Sequence, residues 1–127
     1  MTVTAVSAFL FIILFHWIND FVLQDESWAN NKSKSLKALL KHTATYSLMW
    51  LLPVWIFTNS FIGASLFVII TFLFHTITDY FTSKVVAKRF QKNYFGSPIP
   101  NFGAFSIIGF DQLLHYTQLI LTWYLIF

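Results

Sequence analysis

All four histidines of this chain, His16, His42, His75 and His115, lie inside apolar runs long enough to cross a membrane. A span needs roughly 20 predominantly apolar residues. Four such stretches are present, at residues 3–23, 36–57, 61–81 and 106–127, and Pro53 is expected to bend the second. Only 10% of residues are charged and 57% are hydrophobic, whereas soluble domains run nearer a quarter charged. At 127 residues there is room for one domain, 1–127, and no more. The expected fold is therefore all-α, an integral membrane four-helix bundle.

The basic residues orient that bundle. Lys32, Lys34, Lys37 and Lys41 follow the first stretch; Lys84, Lys88, Arg89 and Lys92 follow the third. They account for all eight Lys and Arg and fall on one side of an even-numbered array. The positive-inside rule makes that side cytoplasmic and puts both termini outside. A net charge of +3 is thus read as a topology signal that also attracts anionic headgroups, not as a nucleic-acid surface. The first stretch lacks a basic leader and a cleavage site, so it reads as a retained helix of a bacterial inner membrane protein.

Ionisable side chains inside spans cost on the order of 2.5–3.5 kcal/mol each and usually mark function. Beside the four histidines stand Asp20, Asp79 and Asp111, three of only five acids. Their spacing is reciprocal: His16-x-x-x-Asp20 and His75-x-x-x-Asp79 run one way, Asp111-x-x-x-His115 the other. Residues four apart share a helix face, so antiparallel neighbours would set the His at one depth and the Asp nearer the cytoplasm. His42 enters near the start of the second stretch and can reach the same layer. The run Leu14-Phe-His-Trp-Ile-Asn-Asp-Phe21 also matches Leu73-Phe-His-Thr-Ile-Thr-Asp-Tyr80 at five positions and in its closing aromatic. Two parallel helix-hairpin repeats about a pseudo-twofold axis along the membrane normal would explain this internal repeat.

Inward-facing imidazoles and carboxylates on a helix bundle are the usual makings of metal sites. With no cysteine in the chain, the donors suit Zn, Mn or Fe rather than copper(I) or an iron–sulfur cluster. The seven residues His16, Asp20, His42, His75, Asp79, Asp111 and His115 are enough for a dinuclear site. Asn19, Gln24, Thr78, Gln112 and Tyr116 adjoin them as outer partners. Metal-dependent hydrolysis is the default chemistry of such a site, here of a lipid-phosphate or other amphipathic substrate. The alternatives are metal-ion or proton transport by a homo-oligomer, haem ligation, and a polar core that only holds helices together. Against transport, no matching polar residues stand out in the outer half of the spans. The five Trp read as belt or packing residues. The loop Phe95-Gly-Ser-Pro-Ile-Pro-Asn-Phe102 reads as a lid or an ordinary interfacial loop, within an irregular connection over 83–105.

The run His16-Trp-Ile-Asn-Asp20-Phe-Val-Leu-Gln24 resembles the H-x-x-x-D-F-x-L-Q opening of a bacterial family of small membrane proteins known only as a domain of unknown function. Lys32, the Leu-Leu-x-His segment ending at His42, Tyr46, His75-x-x-x-Asp79 and Asp111-Gln112-x-x-His115 resemble its remaining motifs. The resemblance spans most of the chain and supports the site without implying a substrate.

Overall fold

The computed structural model describes residues 4–96 and 102–127. Among them the chain is all-α, with no strand. Helix α1 (Ala5–Trp17) passes directly into a π turn (Ile18–Val22), followed by a short α2 (Glu26–Asn31). Then come α3 (Leu36–Met49), α4 (Leu51–Thr58), α5 (Phe61–Gln91) and α6 (Ala104–Ile126). Hydroxyls and a carboxylate start four of these helices. The side chains of Thr4, Asp25, Ser35 and Ser60 accept from first-turn amides of α1, α2, α3 and α5, satisfying donors that have no intrahelical partner.

The break between α3 and α4 falls at Trp50, three residues before Pro53. Proline has no N–H for the carbonyl four residues back, here Met49, and its ring crowds that carbonyl. The chain responds with a tighter bond, Trp50 N–H to Ser47 O at 3.2 Å, and resumes with Val54 N–H to Trp50 O at 3.0 Å. Asn59, in the left-handed region at φ 55°, ends α4, a conformation asparagine tolerates better than most residues.

Helix α5 packs against α3, α4 and α6, while α6 also meets α1 and the π turn meets α3. Helices α5 and α6 run antiparallel, as the contacts Thr82–Asp111, Asp79–His115 and Thr71–Gln118 require. One end of the interior is an apolar core of Ile12, Trp50, Val54, Phe67, Leu119 and Trp123. The stacked pair Phe11 and Phe57, ring centres 4.6 Å apart, closes against it. The other end is polar: all four histidines and Asp79 are at most 2% exposed. Large apolar side chains cover the outside instead, among them Leu10, Ile56, Ile62, Phe81 and Leu125. The stretch Ala5–Val22 and helix Phe61–Gln91 are each long and apolar enough to cross a membrane.

Two expectations change. Helix α5 does not give way to an irregular loop at residue 83 but continues to Gln91. No glycine or proline interrupts residues 82–91, and Val86, Ala87 and Phe90 line a cavity against the π turn and α6. The 31-residue helix spans about 46 Å at 1.5 Å per residue, more than the roughly 30 Å of hydrocarbon in a bilayer. The last helix starts at Ala104, two residues early, where Ala104 and Phe105 N–H bond Tyr94 and Phe95 O. Residues 97–101 of the expected lid lie outside the described residues.

Candidate metal centre

The π turn decides how the centre is built. Its widened hydrogen bond, Leu23 N–H to Ile18 O at 2.9 Å, shifts Asp20 out of the register that His-x-x-x-Asp has in an α-helix. The result is a long 3.9 Å between His16 Nε2 and Asp20 Oδ2, against 3.6 Å for His75–Asp79 and 3.3 Å for His115–Asp111. Asp20 reaches across the interior instead. Its Oδ1 lies 3.3 Å from His42 Nε2 on α3 and 3.8 Å from His75 Nε2 on α5. His42 Nε2 and His75 Nε2 are themselves 3.4 Å apart.

Those three atoms form a triangle of buried donors. Ligands about 2.1 Å from a tetrahedral ion stand about 3.4 Å from one another, so edges of 3.3, 3.4 and 3.8 Å fit one face of such a site. Asp20 Oδ1 is buried and has no hydrogen-bond donor, an arrangement that costs free energy unless something positive meets it. Divalent metal chemistry fits two imidazoles and one carboxylate, with a fourth position left open.

Asp79, from α5, approaches the same two imidazole nitrogens. Its Oδ2 is 3.3 Å from His42 Nε2 and 3.6 Å from His75 Nε2, while its Oδ1 is 3.2 Å from His115 Nε2. Asp111 Oδ2 lies 3.3 Å from that same His115 nitrogen. Thr82 on α5 holds the other Asp111 oxygen at 2.5 Å. Carboxylates and imidazoles thus alternate from Asp20 to Asp111, and His75, Asp79 and His115 form a second buried donor group.

His16 is brought to the edge of this file and not into it. Its Nδ1 meets Tyr46 Oη at 2.6 Å and its Nε2 meets Gln112 Oε1 at 2.7 Å, so both ring nitrogens are engaged. Gln112 also donates to Asp20 and Asp111, at 3.4 and 3.1 Å. Of the other expected neighbours, Tyr116 packs on the His16 ring at 4.7 Å between centres. Thr78 offers its carbonyl to Thr82. Asn19 and Gln24 are adjacent, with buried amide atoms that have no partner.

Lys32 is the residue that spacing alone does not reveal, because it reads as one lysine of a basic loop. Its Nζ donates to Asp79 Oδ2 at 2.7 Å with its side chain only 21% exposed. Burial pushes its pKa down, but the Asp79 and Asp20 carboxylates outweigh burial and hold it above the ordinary lysine value. The family resemblance names both Lys32 and Tyr46, the latter meeting His16, without assigning either a contact. A third feature corrects the view that nothing polar lies farther out. Gln118 bonds Thr71 at 3.3 Å and Thr122 at 2.9 Å, all three on the far side of the histidines from the aspartates.

A cavity of about 320 Å³ opens beside the file, bounded by Asp20, Asp111, Gln112 and Lys32 and, on its apolar wall, by Phe21 and Phe90. The profile of a family described as a protein of unknown function (DUF3307) matches residues 8–127, a stretch that includes every residue of the centre. The chain belongs to this family. Searches of curated proteins and of solved structures return no match. The family is one of unknown function, as the resemblance implies, and brings no activity with it.

Proposed function

We propose that this is a polytopic protein of the bacterial inner membrane. In this reading a divalent metal, Zn, Mn or Fe, sits among its buried His and Asp residues and serves hydrolysis of a membrane-associated substrate. The observation that carries the metal reading is the triangle of Asp20 Oδ1, His42 Nε2 and His75 Nε2, with edges near 3.4 Å and an orphaned carboxylate oxygen at one corner. The membrane reading is supported by the inverted packing, polar residues inside and large apolar ones outside. In water an apolar surface of this extent would drive association. The four apolar stretches would then form a bundle with both termini outside and the lysine-rich segments in the cytoplasm.

A bound metal would lower the pKa of a coordinated water and so supply hydroxide at neutral pH. The protein's own groups do the rest. Gln112 orients His16, Asp20 and Asp111 together, Thr82 fixes Asp111, and the apolar wall of the cavity gives an aliphatic chain a place to lie.

Elemental analysis of detergent-purified protein, beside the His75→Ala/His115→Ala variant, tests the metal. Zn, Mn or Fe in the wild type and loss in a folded variant supports the reading. No metal in either, even after reconstitution, would sink it. The chain lacks cysteine, so a single Asn59→Cys gives a unique label; modification only from the cytoplasm would overturn the proposed topology. The second reading is transport by a homo-oligomer, favoured by the polar group of Thr71, Gln118 and Thr122. The close-packed Trp50, Phe67, Leu119 and Trp123 obstruct a path beyond it. Ion flux in liposomes that follows an imposed gradient would favour transport over hydrolysis.

A further inference from the structure

Asp79 presents its two oxygens to different imidazoles. Oδ2 faces His42 and His75, at 3.3 and 3.6 Å, and Oδ1 faces His115, at 3.2 Å. His115 in turn has Asp111 Oδ2 at 3.3 Å on its Nε2. A carboxylate whose oxygens point at separate donor sets is placed to bridge two cations, which in two-metal sites stand about 3.5–4 Å apart.

We propose that the centre is dinuclear, with Asp79 as the bridge between a first ion held with Asp20, His42 and His75 and a second held with His115 and Asp111, and that the second ion receives a phosphate-class anion from the adjoining cavity. This rests on the metal reading above.

The anion follows from charge. Asp20, Asp79 and Asp111 contribute three negative charges and Lys32 one positive. One divalent ion brings that sum to zero, and two leave an excess of two positive charges. An uncompensated charge is expensive in a buried site, so the two-metal form requires an anionic ligand and the one-metal form does not. The cavity offers such a ligand a route and a lining. Asp111 of the second set borders it, as do Asp20, Gln112 and Lys32, whose ammonium has three donors, of which Asp79 takes one. Ser83 and Gln24 also line it. A phosphate oxygen can accept from the ammonium, and the Phe21 and Phe90 side of the cavity suits an attached alkyl chain.

The test uses the full chain in detergent, stripped with a chelator and titrated with Mn²⁺. Bound metal is counted and the paramagnetic resonance spectrum is recorded, and each form is then titrated with inorganic phosphate and with decyl phosphate. Two equivalents with an exchange-coupled spectrum are expected in the wild type, with phosphate binding that appears only after the second equivalent. Asp111→Asn is expected to hold one equivalent, uncoupled, and to weaken phosphate at least tenfold. Decyl phosphate binding tenfold tighter than inorganic phosphate would assign the anion to a membrane amphiphile; equal binding would assign it to a soluble phosphate ester. One equivalent in the wild type overturns the dinuclear proposal and leaves the metal reading standing, while none overturns both. Phosphate binding equally to the one- and two-metal forms overturns the assignment of the anion to the second ion. Should Asp111→Asn fail to fold, the wild-type spectrum decides the nuclearity by itself.

Discussion

The pair Lys32–Asp79 tests whether Lys32 belongs to the buried His/Asp cluster or to a solvated basic loop. At 2.7 Å and an effective dielectric constant of about 20, two unit charges attract by about 6 kcal/mol before desolvation. Removing water from both groups consumes much of this, but the penalty is already met in the folded protein. Deleting one partner leaves a buried charge without its nearest counter-charge, Asp79 keeping only imidazoles and Lys32 only the Asp20 and Asp111 carboxylates, at the lower end of about 3–5 kcal/mol. Asp79→Asn and Lys32→Met are each expected to cost about 3 kcal/mol in the metal-free protein. The double variant is expected to fall short of their sum by at least about 1.5 kcal/mol, since neither charge is then stranded. Unfolding in mixed micelles of rising SDS fraction, followed by tryptophan fluorescence, measures all three. A coupling energy within about 0.5 kcal/mol of zero, as at exposed pairs, would refute the reasoning. Lys32 would then be a solvated member of the basic loop.

Three smaller perturbations test other parts of the fold. Tyr46→Phe removes the 2.6 Å contact to His16 Nδ1 and is expected to cost about 1–3 kcal/mol through the unsatisfied buried nitrogen, read in the same unfolding assay. Pro53→Ala restores an N–H that can reach Met49 O, so the amide at position 53 should exchange slowly with deuterium. Fast exchange there would show that packing of Trp50, and not the imino acid, sets the break. Gly63→Ala brings a Cβ against the Phe127 ring and to 2.9 Å from Ser60 Oγ, the cap of α5; if both side chains shift aside, stability should fall by about 1 kcal/mol. A larger loss would show that one of the two is held firmly in place.

The His and Asp positions were legible because ionisable residues stand out in apolar runs and because i,i+4 spacing converts directly into a shared helix face. That rule covers three pairs: His75–Asp79 and Asp111–His115 stand in one file, His16–Asp20 is divided, and His42, with no partner four residues away, was placed by its position in the second stretch alone. Its premise is an α-helical register, and the chain slips into a π turn at Ile18–Val22. Nothing in the residues Ile-Asn-Asp-Phe-Val announces such a slip. Lys32 was singled out by the family resemblance but not by its charge: a lysine in a basic loop reads the same whether or not its ammonium turns inward. The extension of α5 to Gln91 was masked by hydropathy, which falls as Lys84, Lys88 and Arg89 appear although helix propensity does not. The polar group of Thr71, Gln118 and Thr122 went unseen because threonine is unremarkable in an apolar helix until its neighbours are known.

The π turn also sets what kinds of inherited change the protein can absorb. A helix acquires such a turn by the gain of a single residue and loses it by a single deletion, with composition and hydropathy almost untouched. Removing one residue from Ile18–Val22 would return the segment to α register and carry Asp20 back toward His16, away from His42 and His75. Chain length at this turn, more than the identity of the residues flanking Asp20, allots the carboxylate to its partners. Substitutions at the exposed Phe21 or Val22 should therefore be borne far better than the loss of either position.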